Sequence, residues 1–92
     1  MTRPAPYRVE LSPAAQRQLQ RIPPGDAARL RVPIMALAIE PRLRDAAPVV
    51  GTRYQRLRVG DLRVVYLVDD RERLIVVLRV ARRSESTYRR IG

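Results

Sequence analysis

The stretch YQRLRVGDLRVVYLV (residues 54–68) has the pattern of two β-strands joined by a tight turn. The Gly-Asp pair at residues 60–61 is typical of a two-residue hairpin loop, because Gly accepts the positive φ that the favoured turns require. A loop of this length fixes the pairing register, which sets Arg58 opposite Arg63. The sequence therefore predicts a hairpin with two like charges facing each other.

Side chains alternate along a strand, so each face of this hairpin can be assigned. One face is apolar and is predicted to lie in the core, and its members are Leu57, Val59, Leu62, Val64, Tyr66 and Val68. The open face collects Tyr54, Arg56, Arg58, Arg63, Val65 and Leu67. Like charges directly opposite each other destabilise an antiparallel pair, so this open face indicates an anionic partner that guanidinium groups can bind.

A third strand is predicted over LIVVLRVA (residues 74–81). An unpaired charge in the core would be costly, so we expect Arg79 to point away from it. Strict alternation then sends Leu74, Val76, Leu78 and Val80 into the core. The open face gains Ile75, Val77, Arg79 and Ala81, and Arg83 follows on the same side.

The first half of the chain predicts one strand and two helices. YRVEL (7–11) alternates as a half-buried strand, and Ser12-Pro13 then has the pattern of a helix start. A second helix is predicted to open at Gly25-Asp26, with Asp26 as its N-cap, and to be ended by Pro41. Pro33 lies inside this helix and should kink or break it. Residues 41–52 are expected to form a loop.

These elements predict an α+β domain with the order β-α-α-β-β-β. We expect an antiparallel-rich sheet with a helical hairpin packed on one face, and a possible short C-terminal helix in SESTYRRIG (84–92). With 92 residues, the chain has room for a single domain, 1–92.

Composition narrows the classes of function. The chain carries 19 basic residues, all of them Arg, against 9 acidic ones, which gives a net charge of +10. Such an excess favours a polyanion or an acidic protein as partner. The chain has neither Cys nor His, the commonest ligands of protein metal sites, so no metal and no other cofactor is predicted. No run of residues has the length and apolarity of a membrane span, which predicts a cytoplasmic protein without a membrane partner.

Three stretches together resemble a known family. They are YRVELSPAAQRQLQRIP (7–23), LRVGDLRVVYLVDD (57–70) and LIVVLRVARRSESTY (74–88). With them the sequence resembles the RelE/ParE superfamily of toxins from bacterial toxin–antitoxin pairs, and the RelE branch is favoured. That resemblance implies a ribosome-dependent endoribonuclease, which cleaves mRNA in the ribosomal A site through attack of the RNA 2′-hydroxyl on the adjacent phosphorus.

The resemblance also implies roles for individual residues. Arg63, Arg83 and Tyr88 match family positions expected to be catalytic, with Tyr88 as the proton acceptor. Asp61 and Glu85 are weaker candidates for that base. Arg56 matches a phosphate-contacting position. Arg58 is added from the assignment of the open face rather than from the resemblance, and the residues predicted to bind RNA are Arg56, Arg58, Arg79 and Arg82.

Two other functions stay open at this point. One is a ParE-like inhibitor of DNA gyrase without nuclease chemistry, and the other is an inactive module that binds RNA or the ribosome. The predicted partners are an acidic cognate antitoxin, which would cover the basic face in the resting cell, and the ribosome with its mRNA.

Overall fold

A computed structural model of the protein describes residues 6–42 and 46–82. These residues form two helices and five strands, which confirms the α+β class. In chain order the elements are β1 (Arg8–Leu11), α1 (Pro13–Arg21), α2 (Pro24–Ala36), β2 (Ala46–Pro48), β3 (Gln55–Val59), β4 (Leu62–Asp69) and β5 (Leu74–Arg82). The possible C-terminal helix lies outside the described residues.

The five strands form one sheet with the order β1-β5-β4-β3-β2. β1 runs parallel to β5, and the other three neighbouring pairs are antiparallel. The short edge strand β2 corrects the prediction that residues 41–52 form only a loop. Its sequence, Ala-Ala-Pro, carries no strand signal of its own, and Pro is confined to sheet edges because it cannot donate to a ladder.

The helix boundaries were predicted correctly at α1 and incorrectly at α2. Ser12 is the N-cap of α1, and its side chain accepts a hydrogen bond of 3.1 Å from the backbone N–H of Ala15. In α2 the N-cap is Pro23 rather than Asp26, which lies in the first turn. The proline at Pro24 explains the difference, since its fixed φ suits the first helical position. The helix continues through Pro33 and ends well before Pro41.

The core lies between the helices and one face of the sheet, as predicted. From the hairpin, Leu57, Leu62, Val64 and Tyr66 are buried, and Val59 and Val68 pack against them while partly exposed. The helices contribute the buried side chains of Ala15, Leu30, Ile34 and Leu37. The Tyr66 hydroxyl donates a hydrogen bond of 2.7 Å to the backbone oxygen of Pro41, so its one polar group is satisfied.

The predicted facing of β5 is wrong over its first half. Ile75 and Val77 are fully buried in the core, while Leu74, Val76 and Leu78 are only half-buried. Val80 lies in the core as predicted. The cause is a register irregularity between β4 and β5, where strict alternation fails. The prediction assumed an unbroken period of two, and the sequence carries no turn residue that marks this irregularity.

Candidate functional site

The hairpin between β3 and β4 places three arginines on the open face of the sheet. Gly60 has the positive φ of 61° that the turn requires. The register is the predicted one: Arg58 pairs with Arg63, and Arg56 pairs with Val65. The three arginines therefore lie on the face opposite Leu57 and the rest of the core.

The neighbouring strand β5 adds a fourth arginine to the same face. Arg79 pairs with Val65 from the side opposite Arg56, and Ala81 pairs with Arg63. Two cross-strand rows result, one running Arg56–Val65–Arg79 and the next Arg58–Arg63–Ala81. We call these four residues the arginine group: Arg56, Arg58, Arg63 and Arg79.

The arginine group surrounds a small buried apolar surface. Val65 is fully buried and Ala81 nearly so, although both lie on the face away from the main core. Arg58 is exposed, and the other three arginines are half-buried. A guanidinium held beside apolar atoms keeps fewer contacts with water, so an anion that approaches it is bound more strongly than at an exposed site.

Arg79 has a buried hydrogen-bond donor beside this apolar surface. Its Nε atom is buried and has no hydrogen-bond partner within residues 6–42 and 46–82. A buried donor without a partner costs free energy, and the cost is larger for a charged group. An oxygen of a bound phosphate or carboxylate is the kind of acceptor that would satisfy it.

Four acidic residues of the described chain, Glu10, Asp26, Asp61 and Asp70, pair with arginines outside the arginine group. Within residues 6–42 and 46–82 the structure has five ion pairs, and none of them involves Arg56, Arg58 or Arg79. Arg63, the fourth member of the arginine group, makes an interaction of its own, so this absence of ion pairs concerns only the other three arginines. Positive charge on the open face is therefore not neutralised by the carboxylates that the structure describes there.

Arg82 lies apart from the arginine group, although the sequence placed it among the RNA-binding residues. It pairs with Leu62 and so lies on the helical side of the sheet. Its guanidinium donates to Asp26 of α2 at 2.5 Å and to Asp61 of the hairpin turn at 2.9 Å. The hydrogen bond to Asp26 and that carboxylate's charge raise the pKa of Arg82. The hydrogen bond from Arg82 also engages the carboxylate of Asp61, one of the two weaker candidates for the catalytic base.

Several predicted site residues lie outside the described part of the chain. They are Arg83, Glu85 and Tyr88. Their predicted roles stay predictions, as do those of the arginine group.

A second polar cluster lies at the other end of the sheet. Arg42 donates two hydrogen bonds to the Asp70 carboxylate, at 3.3 and 3.1 Å, and the Tyr7 hydroxyl donates a third at 2.5 Å. The hydrogen bond from Arg42 lowers the pKa of Asp70, and the hydrogen bond to Asp70 raises the pKa of Tyr7. This cluster ties the segment after α2 to the β4–β5 turn, and its carboxylate already has partners.

Two polar residues support the site without having been predicted in that role: Ser12, the N-cap of α1, and Gln18 of α1. Ser12 and Gln18 both bond to the backbone of β5 next to Arg79. Gln18 lies on a helix with other glutamines, and no feature of the sequence distinguishes it from them.

The described residues contain neither a membrane-spanning helix nor a cluster of metal-ligating side chains. No helix there is long and apolar enough to cross a membrane. No group of three acidic side chains there is arranged to hold a metal ion.

Comparison with known proteins assigns the family. A family model described as the ParE toxin of the type II toxin–antitoxin system parDE matches residues 9–87. The chain belongs to the RelE/ParE toxin superfamily. This confirms the resemblance seen in the sequence and makes the protein a toxin of a type II toxin–antitoxin pair.

RelE proteins are among its similar relatives. Toxin RelE of Mycobacterium tuberculosis is 32% identical over 83 residues, which cover 88% of this chain and 86% of the relative. In the RelBE2 toxin–antitoxin complex from the same organism, the matching chain is 32% identical with a TM-score of 0.77, and the match covers 85% of this chain and 99% of that one. The RelE–RelB complex of Pyrococcus horikoshii matches at 29% identity and a TM-score of 0.76, over 87% and 98% of the two chains.

Proposed function

We propose that this RelE/ParE toxin is an endoribonuclease that cleaves mRNA in the ribosomal A site and so stops translation. The observation that carries the proposal is the pairing register of β3, β4 and β5. It sets Arg56 and Arg79 on either side of Val65, with Arg58 opposite Arg63. Arginines gathered in this way suit an RNA phosphate, since a guanidinium can donate two parallel hydrogen bonds to phosphate oxygens.

The proposed reaction needs no metal. The RNA 2′-hydroxyl loses its proton and attacks the adjacent phosphorus, the bond from phosphorus to the 5′-oxygen breaks as that oxygen takes up a proton, and a 2′,3′-cyclic phosphate remains on the upstream fragment while the downstream fragment keeps a 5′-hydroxyl. Negative charge grows on the phosphoryl oxygens in the transition state, and the arginine group would stabilise it there. Tyr88 would take the proton of the 2′-hydroxyl, with Arg83 beside the phosphate.

The ribosome has a defined part in this proposal. Arg is always protonated near neutral pH and makes a poor base, and the chain has no His. Tyr has a reference pKa near 10, so its phenolate is scarce at pH 7 unless neighbouring cations lower that pKa. A site with weak acid–base groups depends on accurate placement of the substrate, which a ribosome holding mRNA in its A site would supply.

The proposed resting partner is an acidic cognate antitoxin. The support is the net charge of +10 together with Arg56, Arg58 and Arg79 of the open face, which take part in no ion pair among the described residues. A groove of about 390 Å³ between α1, α2 and β1, lined by apolar side chains such as Leu19 and Met35, offers a second contact surface. The matched RelBE2 and RelE–RelB structures are complexes of toxin with antitoxin. A short acidic protein that is encoded beside this gene and co-purifies with the toxin would support this partner.

A second candidate function is inhibition of DNA gyrase without nuclease chemistry. It is favoured by the family model, whose description names ParE. The two candidates predict different effects when the toxin is induced in cells. Rapid loss of translation with mRNA cuts at codons supports the nuclease, whereas a DNA damage response with blocked replication supports the gyrase inhibitor.

Substitutions in the induced toxin test the nuclease. We expect Arg56→Ala and Arg63→Ala each to lower mRNA cleavage about tenfold to a hundredfold, since a lost hydrogen bond to a charged group costs roughly 1.5–3 kcal/mol. Tyr88→Phe should also lower cleavage. Arg17→Ala, the same change at an exposed position of α1, is the matched control and should cleave normally. Full toxicity of both Arg63→Ala and Tyr88→Phe would contradict the catalytic assignment.

A further inference from the structure

Strand β5 contains one more residue than its partner at the centre of the sheet. Val65 of β4 pairs with Arg79, while the next residue, Tyr66, pairs with Val77. Leu78 lies between them and has no pairing partner on β4. An extra residue on one strand of an antiparallel pair is a β-bulge.

The bulge reverses the facing of the strand at this point. Before it, Ile75 and Val77 point into the core, and strict alternation would send Arg79 there as well. After the extra residue, Val80 takes the core position instead. Arg79 thereby reaches the open face beside Val65 and joins the arginine group. One inserted residue thus decides on which side of the sheet this guanidinium lies.

The backbone groups around the bulge are bonded by α1. The Ser12 hydroxyl donates to the carbonyl oxygen of Leu78 at 3.0 Å, and the backbone N–H of Ser12 donates to the carbonyl oxygen of Val77 at 2.8 Å. The Gln18 side-chain oxygen accepts from the backbone N–H of Val80 at 2.7 Å. These bonds satisfy backbone groups of Val77, Leu78 and Val80, and the two side-chain contacts are partly buried.

We propose that Gln18, with Ser12, is a positioning residue for anion binding by Arg79. Neither residue lies on the open face, so neither would touch the anion. They act through the backbone: α1 holds the bulge, and the bulge holds Arg79 beside Val65. The inference rests on the proposed function in one respect, namely that the anion at Arg79 is an RNA phosphate.

A double-mutant cycle on the purified protein tests this coupling. Affinity for a short single-stranded RNA oligonucleotide is measured at one salt concentration for Gln18→Met, Arg79→Ala and the double variant. Met keeps the length and helix propensity of Gln but has no amide oxygen to accept the bond from Val80. Gln20→Met, the same change at an exposed position of α1, is the matched control.

We expect Gln18→Met to weaken RNA binding about threefold to tenfold, in the range of one lost hydrogen bond. Gln20→Met should leave the affinity unchanged. In the Arg79→Ala background, Gln18→Met should cause no further loss, since the group it positions is gone. Equal losses from Gln18→Met in both backgrounds, or no loss in either, would overturn the inference.

A second measurement separates this inference from the proposed function. Arg79 is labelled with an arginine-specific dicarbonyl reagent without RNA, and the rate is read by mass spectrometry with Arg17 as the internal reference. Faster labelling of Arg79 in Gln18→Met but not in Gln20→Met supports the positioning role, and equal labelling overturns it. If the wild-type protein binds no free RNA, the labelling rates decide the positioning alone, and the proposed function is judged separately by cleavage of mRNA on the ribosome.

Discussion

Arg79 affects both the stability of the fold and the proposed binding of RNA. Its Nε atom is buried without a partner in the described chain, yet the fold keeps it there. A structural role alone would favour an apolar residue at this position, because a buried donor without an acceptor lowers the free energy of unfolding. A bound anion turns the same donor into a favourable contact, which is why we place Arg79 in the proposed RNA site.

Tyr66 is the buried ionisable residue of the core, and it sets a pH limit on stability. Burial raises the pKa of its hydroxyl to about 12, above the ordinary value of 10. Between pH 10 and pH 12 the unfolded chain loses this proton while the folded chain keeps it. The stability that depends on the neutral hydroxyl is therefore complete below pH 10 and is lost as the pH rises through 12.

We predict a difference between wild type and Tyr66→Phe that grows over this range. The wild-type free energy of unfolding should fall relative to Tyr66→Phe by roughly 2 kcal/mol between pH 10 and pH 12, with the slope nearing about 1.4 kcal/mol per pH unit in the middle of that range. At pH 7 the variant should be less stable by about 1 kcal/mol, because the hydrogen bond to Pro41 is lost. Urea unfolding at each pH measures both. A difference that stays constant from pH 8 to pH 12 would contradict the buried neutral hydroxyl.

Among the elements, the β3–β4 hairpin was the most predictable. Its register follows from Gly60-Asp61 alone, and with the register come the apolar face and the meeting of Arg58 with Arg63. Local sequence was sufficient to predict this register, because with a two-residue turn only one pairing of the strands brings their apolar residues onto the same face.

The β5 strand and α2 show where such reasoning failed. The bulge at Leu78 depends on bonds from Ser12 and Gln18, which are more than 60 residues away in the chain. A tertiary contact of this kind leaves no periodic signal in the strand itself. At α2, Pro24 begins the helix before Asp26, so a favoured N-cap residue occupies the first turn instead. The separation of Arg82 from the arginine group follows from the same bulge, which turns Arg82 toward the helices.

The ion pair between α2 and the end of β5 leads to a prediction about the packing of these two elements. Asp26 accepts from Arg82 and also from Arg29 at 3.2 Å, so its carboxylate joins α2 to the end of β5. We expect Asp26→Asn to lower the free energy of unfolding by about 1 kcal/mol, since the pair is partly exposed and screened. Urea unfolding at pH 7 measures this change.

Glu40→Gln is the control for that substitution. Glu40 is exposed, and the same loss of one negative charge there should change the stability little. Equal effects of Asp26→Asn and Glu40→Gln would mean that the ion pairs of Arg82 do not stabilise the fold.

Over the whole molecule, charge is distributed unevenly. Asp26, Asp61 and Asp70 are engaged by arginines at the edges and on the helical side, while Arg56, Arg58 and Arg79 of the open face are in no ion pair of the described chain. Part of the chain's excess of positive charge is therefore available on the open face. A toxin built in this way is suited to a polyanionic target, and it also presents a surface that an acidic antitoxin can cover.

The central claim is that this toxin cuts mRNA on the ribosome through the 2′-hydroxyl. The most direct test combines purified toxin with ribosomes that hold a defined mRNA in the A site. Two mRNAs are compared that differ at a single atom, with a hydroxyl or a hydrogen at the 2′ position next to the cut. We predict that the hydroxyl form is cleaved to a 2′,3′-cyclic phosphate and that the deoxy form stays intact. Cleavage of both forms alike, or of neither while DNA gyrase is inhibited, would contradict the claim.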